Sequence, residues 1–319
     1  MKTLKEIANE ILALKSAYVF CHVRPDGDTV GSAVALTLAL RQKGIECDVV
    51  CDGNLPEKIT SVLDTSFFLK PAEVKNAREG HIAVDVASEH LLGHAWGIYT
   101  ASSKCFCIDH HPSNSRFTSL LYLDPLPANT LIIYSLLKLI KVEFSVSIAE
   151  AILYGILTDT GNFMHNSTNA IALNVASDML NCGASLQKLT NAIFKSQSKE
   201  RSKLYIEVLN RMRFYLDNKL AIITVKMEDL QKYGLTEDCT EGFVDYPLTI
   251  AGIEVAVSLL QTKTNLYRVS IRTRERVNAN AIADEFGGGG HRFASGCVIS
   301  GMYEEVIEKI VRAVDINIY

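Results

Sequence analysis

No run of about 18 consecutive apolar residues occurs in the 319-residue sequence, so no membrane-spanning helix is expected. An excess of basic charge is missing too. Lys and Arg total 32 against 36 Asp and Glu, a net charge of −4. That excludes a protein that coats long nucleic acid by charge alone, though not one with a local basic patch. Tryptophan occurs once, and there is no internal repeat or low-complexity tract. Cysteine occurs eight times, at 21, 47, 51, 105, 107, 182, 239 and 297, but never as C-x-x-C. Several lie inside apolar runs such as "KCFCID". They read as reduced core cysteines of a cytoplasmic protein and not as a zinc site. The opening "MKTLKEIANEILALK" places apolar residues at Leu4, Ile7, Ile11 and Leu14 with charges between them. This is an amphipathic helix without the apolar centre or cleavage site of a signal peptide.

What is present is a globular composition, 48% hydrophobic and 21% charged, in a chain long enough for about two domains. The first half alternates short apolar strands (17–22, 46–53, 81–88, 104–111) with helical patterns (32–44, 129–142, 146–160 and about 168–181). Strands that are apolar throughout and alternate with helices predict an α/β domain with a parallel sheet covered on both faces. Residues 184–213 are polar with scattered apolar positions and read as a helical linker. From 214 the texture changes to meander strands ("FYLDNKLAIITVK", "GIEVAVSLLQTK", "LYRVSIRTR"), a helix over "NANAIADEF" and a closing helix over "YEEVIEKIVRAV". This predicts a smaller α+β domain over 214–319, after a first domain over 1–183. The apolar helices at 129–142 and 146–160 suit the core, and are also compatible with a homodimer interface.

Three of the strands end in candidate metal ligands. His22 closes "AYVFCH", with Asp26 and Asp28 in the turn that follows. Asp85 closes "HIAVD", and Asp109, His110 and His111 close "CFCIDHH". A fourth candidate, Asp159, ends "AILYGILTD". Each piece alone is ordinary, because Asp caps helices and makes turns, and a His on an apolar strand is commonly a core residue. Together they fall at the same position in successive strands. In a parallel sheet that position converges on one edge, the edge where such folds bind ligands. His22, Asp26, Asp28, Asp85, His110 and Asp159 include four carboxylates. An empty cluster of that charge repels itself and repels phosphate. Two divalent ions neutralise it, and a pair about 3.5–4 Å apart suits in-line displacement at phosphorus. Carboxylates with imidazoles favour Mn²⁺, with Mg²⁺, Co²⁺ or Fe²⁺ also compatible.

The order "HVRPDGD", "AVD", "DHH", "TDTG" over residues 17 to about 165 resembles the DHH phosphoesterase superfamily. The resemblance implies that His22 and Asp26 bind a first metal and Asp28 a second, with Asp85 bridging. It implies that His110 and Asp159 complete the second site. Asp109 would orient a ligand imidazole, and His111 would contact the scissile phosphate. No ligand of the pattern is missing, which argues against a non-catalytic nucleotide sensor.

In the second half, "GGGGH" (287–291) lets backbone N–H groups approach an anion, and His291 and Arg292 add donors. Arg268, Ser270 and Arg272 alternate along "YRVSIRTR" and share one face if this is a strand. A cationic face beside a glycine nest predicts a phosphate pocket. "RVNANAIADEFGGGGHRFASG" resembles the DHHA1 substrate-binding domain. By that match Ser270, Arg272, Asn278, Gly289, Gly290 and His291, with Arg268 and Gly288 alongside, hold the nucleotide end away from the cut. The whole chain resembles the short DHH–DHHA1 proteins of bacteria called nano-RNases. This implies hydrolysis of short RNA oligonucleotides and of 3′-phosphoadenosine 5′-phosphate (pAp). Cleavage of cyclic di-AMP or its linear product pApA is the alternative. A RecJ-like single-strand exonuclease normally carries a further domain, and a DHH-type pyrophosphatase lacks the "GGGGH" domain.

Overall fold

The computed structural model describes residues 2–318. The chain forms two compact units, residues 1–196 and 197–319. The segment 184–213 divides between them. One of its helices packs on the first unit and the other on the second.

In the first unit, six strands form one parallel sheet. They are β1 (Ser16–Phe20), β2 (Glu46–Val50), β3 (Phe68–Leu69), β4 (Gly80–Val84), β5 (Lys104–Asp109) and β6 (Leu120–Leu123). Their order is β3-β2-β1-β4-β5-β6, so the winding direction reverses between β1 and β4. A crevice opens at such a reversal, outside the carboxyl ends of the strands. Alternation along β1 serves both faces. Ala17 and Val19 join the larger core, and Tyr18 and Phe20 join a second core with Leu92 and Tyr99. The larger core is built from α1 (Leu4–Leu12), α2 (Gly27–Gln42), α5 (Asn129–Leu139), α6 (Val146–Asp159), α7 (Ala170–Asn181) and α8 (Leu186–Phe194). Two single-turn helices, α3 (Glu57–Thr60) and α4 (Trp96–Tyr99), lie in the connections. Most apolar residues of α5 and α6 are buried in this core, which leaves Leu139 and Val146 exposed at their ends.

Helix α2 begins at Gly27, five residues before the predicted start at Ser32. Gly27 and Gly31 read locally as turn residues, yet both are helical. A Cβ on Gly31 would lie 2.4 Å from the Ala151 carbonyl oxygen, so its absence lets α2 press against α6. All eight cysteines are free, five of them buried.

The second unit is a mixed six-stranded sheet of β7 (Arg213–Tyr215), β8 (Leu220–Val225), β9 (Val255–Lys263), β10 (Leu266–Thr273), β11 (Gly289–His291) and β12 (Ala294–Ser300). The order is β11-β12-β10-β9-β8-β7. It is not a simple meander, because β8 and β9 pair in parallel while the other pairs are antiparallel. Helices α11 (Ala279–Asp284) and α12 (Tyr303–Asn317) cover one face. On the other, α9 (Lys199–Asn210), α10 (Met227–Tyr233) and a 3₁₀ turn at Phe243–Thr249 bury Ile223, Val225 and Leu260.

Candidate metal centre

The start of α2 positions two of the carboxylates. Asp26 is its N-cap. Oδ1 accepts from the N–H groups of Asp28 (3.1 Å) and Thr29 (3.0 Å), while Oδ2 faces His22 Nε2 at 3.7 Å. The Thr29 hydroxyl donates to the Val84 carbonyl at 3.1 Å, which ties this turn to the end of β4. Asp28 is fully buried at the start of α5, where Oδ1 accepts from the Thr130 N–H at 2.9 Å and Oδ2 from the Asn129 N–H. A helix N-terminus favours a carboxylate there. Gly155 of α6 leaves the room, since a Cβ at that position would lie 2.6 Å from Asp28 Oδ1.

Asp85 follows β4 with φ 58°, a left-handed backbone uncommon outside glycine. Its N–H donates to the Ile108 carbonyl at 3.0 Å. Its side chain is buried, and Oδ1 has no hydrogen bond of good geometry. Backbone strain and an orphaned carboxylate oxygen at one residue are costly in a site without a cation.

At the end of β5, His110 Nδ1 donates to the Leu126 carbonyl at 2.8 Å. Nε2 thereby faces Asp85 Oδ1 (3.3 Å), Asp159 Oδ2 (3.6 Å) and Asp28 Oδ2 (4.0 Å). His111 Nδ1 bonds Asp109 Oδ1 at 2.8 Å. The buried Asp109 also accepts from the His110 N–H (2.9 Å) and from Asn114 Nδ2 (2.7 Å). Asp109 thus orients the imidazole of His111. The imidazole of His110 is oriented by a backbone carbonyl. Asn114 and the Leu126 carbonyl escape the sequence reading. An Asn in the loop after "DHH" looks like any turn residue, and a carbonyl acceptor leaves no side-chain trace.

Ligand atoms gather in two groups, His22–Asp26–Asp85 and Asp28–His110–Asp159, within 4.8 Å of one another in each. A third group, Asp85–His110–His111, overlaps both. Burial, then the charge of Asp85, pushes the Asp28 carboxyl up to about 7. Burial, then Asp28 and Asp85, raises Asp159 well above the usual range. Burial alone would lower His110, but its contacts with Asp85, Asp28 and Asp159 outweigh it and hold the imidazolium up to about 10. His111 is raised in the same way, burial being outweighed by Asp109 and Asp85. The cluster therefore holds protons where cations would replace them. Donor types, the orphaned oxygen and crowded negative charge all fit divalent metal.

In the second unit, Arg268, Ser270 and Arg272 do lie on one face of β10. The register sets Ser270 beside Gly296 and Gly289, and Arg272 beside Ala294 and His291. The result is a floor of small residues flanked by Arg272 and His291. Asn278 caps α11, its side chain accepting from the Asn280 N–H at 3.0 Å. Gly288 is half-buried, while Gly289, Gly290 and His291 are exposed. The face is not a bare cationic one. Arg268 Nη1 lies 3.3 Å from Glu237 Oε2, and Arg272 Nε lies 3.2 Å from Asp245 Oδ1.

The DHH family, N-terminal domain, matches residues 16–156, and the DHHA1 domain matches residues 217–318. The chain belongs to the DHH–DHHA1 phosphoesterases. The bifunctional oligoribonuclease and PAP phosphatase NrnA of Thermus thermophilus is 33% identical over 301 residues, 92% of this chain and 88% of that one. A probable manganese-dependent inorganic pyrophosphatase of Streptococcus mutans is 29% identical over 197 residues, 60% of this chain and 64% of that one. Among solved structures, an exopolyphosphatase-related protein from Bacteroides fragilis superposes with a TM-score of 0.90 at 24% identity, over 98% of this chain and 95% of that one. At that identity the likeness is one of fold.

Proposed function

We propose that the chain is a divalent-metal-dependent hydrolase that degrades short oligoribonucleotides and dephosphorylates pAp, releasing nucleoside monophosphates. The observation that carries this reading is a pair of adjoining ligand groups, His22–Asp26–Asp85 and Asp28–His110–Asp159, with Asp85 Oδ1 3.3 Å from His110 Nε2, in a chain whose relative is an oligoribonuclease and PAP phosphatase. His22 and Asp26 would hold one ion. Asp28, His110 and Asp159 would hold the other, with Asp85 shared. Bound there, such ions supply Lewis-acid charge and a water of lowered pKa. Mixed carboxylate and imidazole donors suit Mn²⁺, and a manganese-dependent relative supports that choice.

The chain's own residues contribute the rest. Asp109 fixes His111 through Nδ1, and Asn114 fixes Asp109. His111 Nε2 has no partner among the described residues, and the ring is partly exposed. Its pKa is raised by Asp109 and Asp85, which favours the imidazolium, and in that form Nε2–H donates to a phosphate oxygen as charge develops there. Arg268, Ser270, Arg272, Asn278, Gly288, Gly289, Gly290 and His291 hold the nucleotide end remote from the cut.

A substrate panel with Mn²⁺ tests the reading. It compares pAp, pApA, cyclic di-AMP, short RNA and short DNA under identical conditions. Release of nucleoside monophosphate from short RNA and from pAp is expected to dominate. Faster turnover of cyclic di-AMP than of short RNA and pAp would replace this reading with the cyclic dinucleotide one.

A further inference from the structure

The exposed face of β10 carries two arginines, and each is met by a carboxylate from the segment that joins α10 to β9. That segment is not loose. Arg201 donates to the carbonyls of Cys239 (2.6 Å) and Glu241 (2.7 Å), and its guanidinium lies 4.9 Å from the centre of the Phe243 ring. Arg274 donates to the carbonyls of Ile253 (2.8 Å) and Leu248 (2.7 Å). Phe243, Val244 and Pro247 are buried on either side of Asp245. The Asp245 backbone is therefore fixed, and its carboxylate stands where the roof over the apolar half of the sheet ends and the open Ser270–Gly296–Gly289 floor begins.

We propose that Asp245 is a specificity-determining residue, which competes with a ligand phosphate for Arg272 and so sets how strongly phosphate-bearing nucleotide ends are preferred over neutral ones. The inference rests on the reading that β10 grips a nucleotide end. The physical argument is one of substitution. A phosphate arriving at Arg272 must displace the carboxylate from Nε or accept its repulsion at a distance of a few ångströms. A neutral nucleoside meets neither penalty. Placing a negative charge opposite an arginine is a known way to lower affinity for one ligand class and leave another untouched. Glu237 and Arg268 repeat the arrangement four residues along the strand.

The test is equilibrium binding to the metal-free full chain, measured by isothermal titration with AMP and with adenosine. Asp245→Asn is expected to tighten AMP by roughly three- to thirtyfold, leave adenosine unchanged, and steepen the salt dependence of AMP binding. The gain must vanish in the Arg272→Ala background, because the carboxylate acts through that guanidinium. Asp245 is largely exposed, so the variant is expected to fold, and Glu237→Gln gives a second probe of the same kind at Arg268. Equal AMP affinity in parent and Asp245→Asn, including no binding in either, overturns the proposal. So does a parallel gain for adenosine. The substrate panel is a separate measurement. A parent that cleaves short RNA while Asp245→Asn binds AMP like the parent refutes only the role of Asp245, whereas a parent without turnover refutes the substrate reading.

Discussion

Asp28 Oδ1 accepts the backbone N–H of Thr130 at 2.9 Å across 102 residues of sequence. The amide ends of α5 hold the carboxylate, and the bare α-carbon of Gly155 makes room for it. Gly155→Ala is therefore expected to push Asp28 off the helix end. Mn²⁺ affinity is expected to fall by about 10–100-fold, with a lower melting temperature. Titration of Mn²⁺ into the purified variant checks this, and parent-like affinity would show that Asp28 has room to spare.

Asp85 lies in one ligand group with His22 and Asp26 and sits 3.3 Å from His110 of the other, so in the proposed two-ion site its charge matters more than its shape. Asn keeps the left-handed backbone accessible and removes the charge. Asp85→Asn is expected to lose about 10³-fold or more in turnover while melting within a few degrees of the parent. Turnover near the parent's would mean that Asp85 does not bridge.

Asn114 touches no ligand atom of the cluster, yet it donates to Asp109 at 2.7 Å and to the Val86 carbonyl at 3.0 Å. Asn114→Ala leaves a buried carboxylate short of a donor, costing about 1–3 kcal/mol of stability. It also frees His111 to rotate. Turnover is expected to drop by about 10–100-fold with KM little changed, and steady-state kinetics separates the two.

Asp159 tests the sign of the electrostatics. Its carboxyl is raised by burial and by Asp28 and Asp85. A raised carboxyl pKa gives stability that is present below the unfolded value near 4 and is lost as pH rises through the folded value. In chelator at pH 8, Asp159→Asn is therefore expected to melt higher than the parent by about 2–4 °C, the advantage vanishing near pH 4. Added Mn²⁺ is expected to stabilise the parent and barely affect the variant. Thermal melts across pH read both effects.

Proton release provides a check without mutation. His110 is held up to about 10 and Asp28 up to about 7, so near neutral pH the metal-free cluster carries protons that ligands must shed. Mn²⁺ binding at about pH 7 is expected to release at least one proton, with affinity rising as pH rises. Calorimetry in buffers of different ionisation enthalpy counts it. Zero release would remove His110 from the ligand set.

The gathering of His22, Asp85, Asp109, His110 and His111 was legible in the sequence because they stand at the ends of apolar strands, and a parallel sheet sends all such ends to one edge. Asp159, by contrast, reaches the cluster from the end of helix α6. The strand ends at His22, Asp85 and Asp109 carried that message unaided. The start of α2 was not legible, since Gly27 and Gly31 resemble a turn until α6 is seen packed against them. The supports of the cluster were hidden for a different reason. Leu126 and Thr130 act through their backbones, which are the same in every residue. The pairing of Arg272 with Asp245 joins positions far apart in sequence whose meeting depends on how Phe243 and Pro247 are buried.

The divided carboxylate of Asp26 has a mechanical consequence. One oxygen starts a helix and the other faces His22. Residues 22 to 28 therefore act as a ruler of fixed length, clamped at one end by the sheet and at the other by the first turn of α2. A single residue inserted there would turn Asp28 away from α5 by about 100° for each residue of slip, and Asp26 and Asp28 could not both stay in register. Substitution within this stretch has some freedom; its length has none.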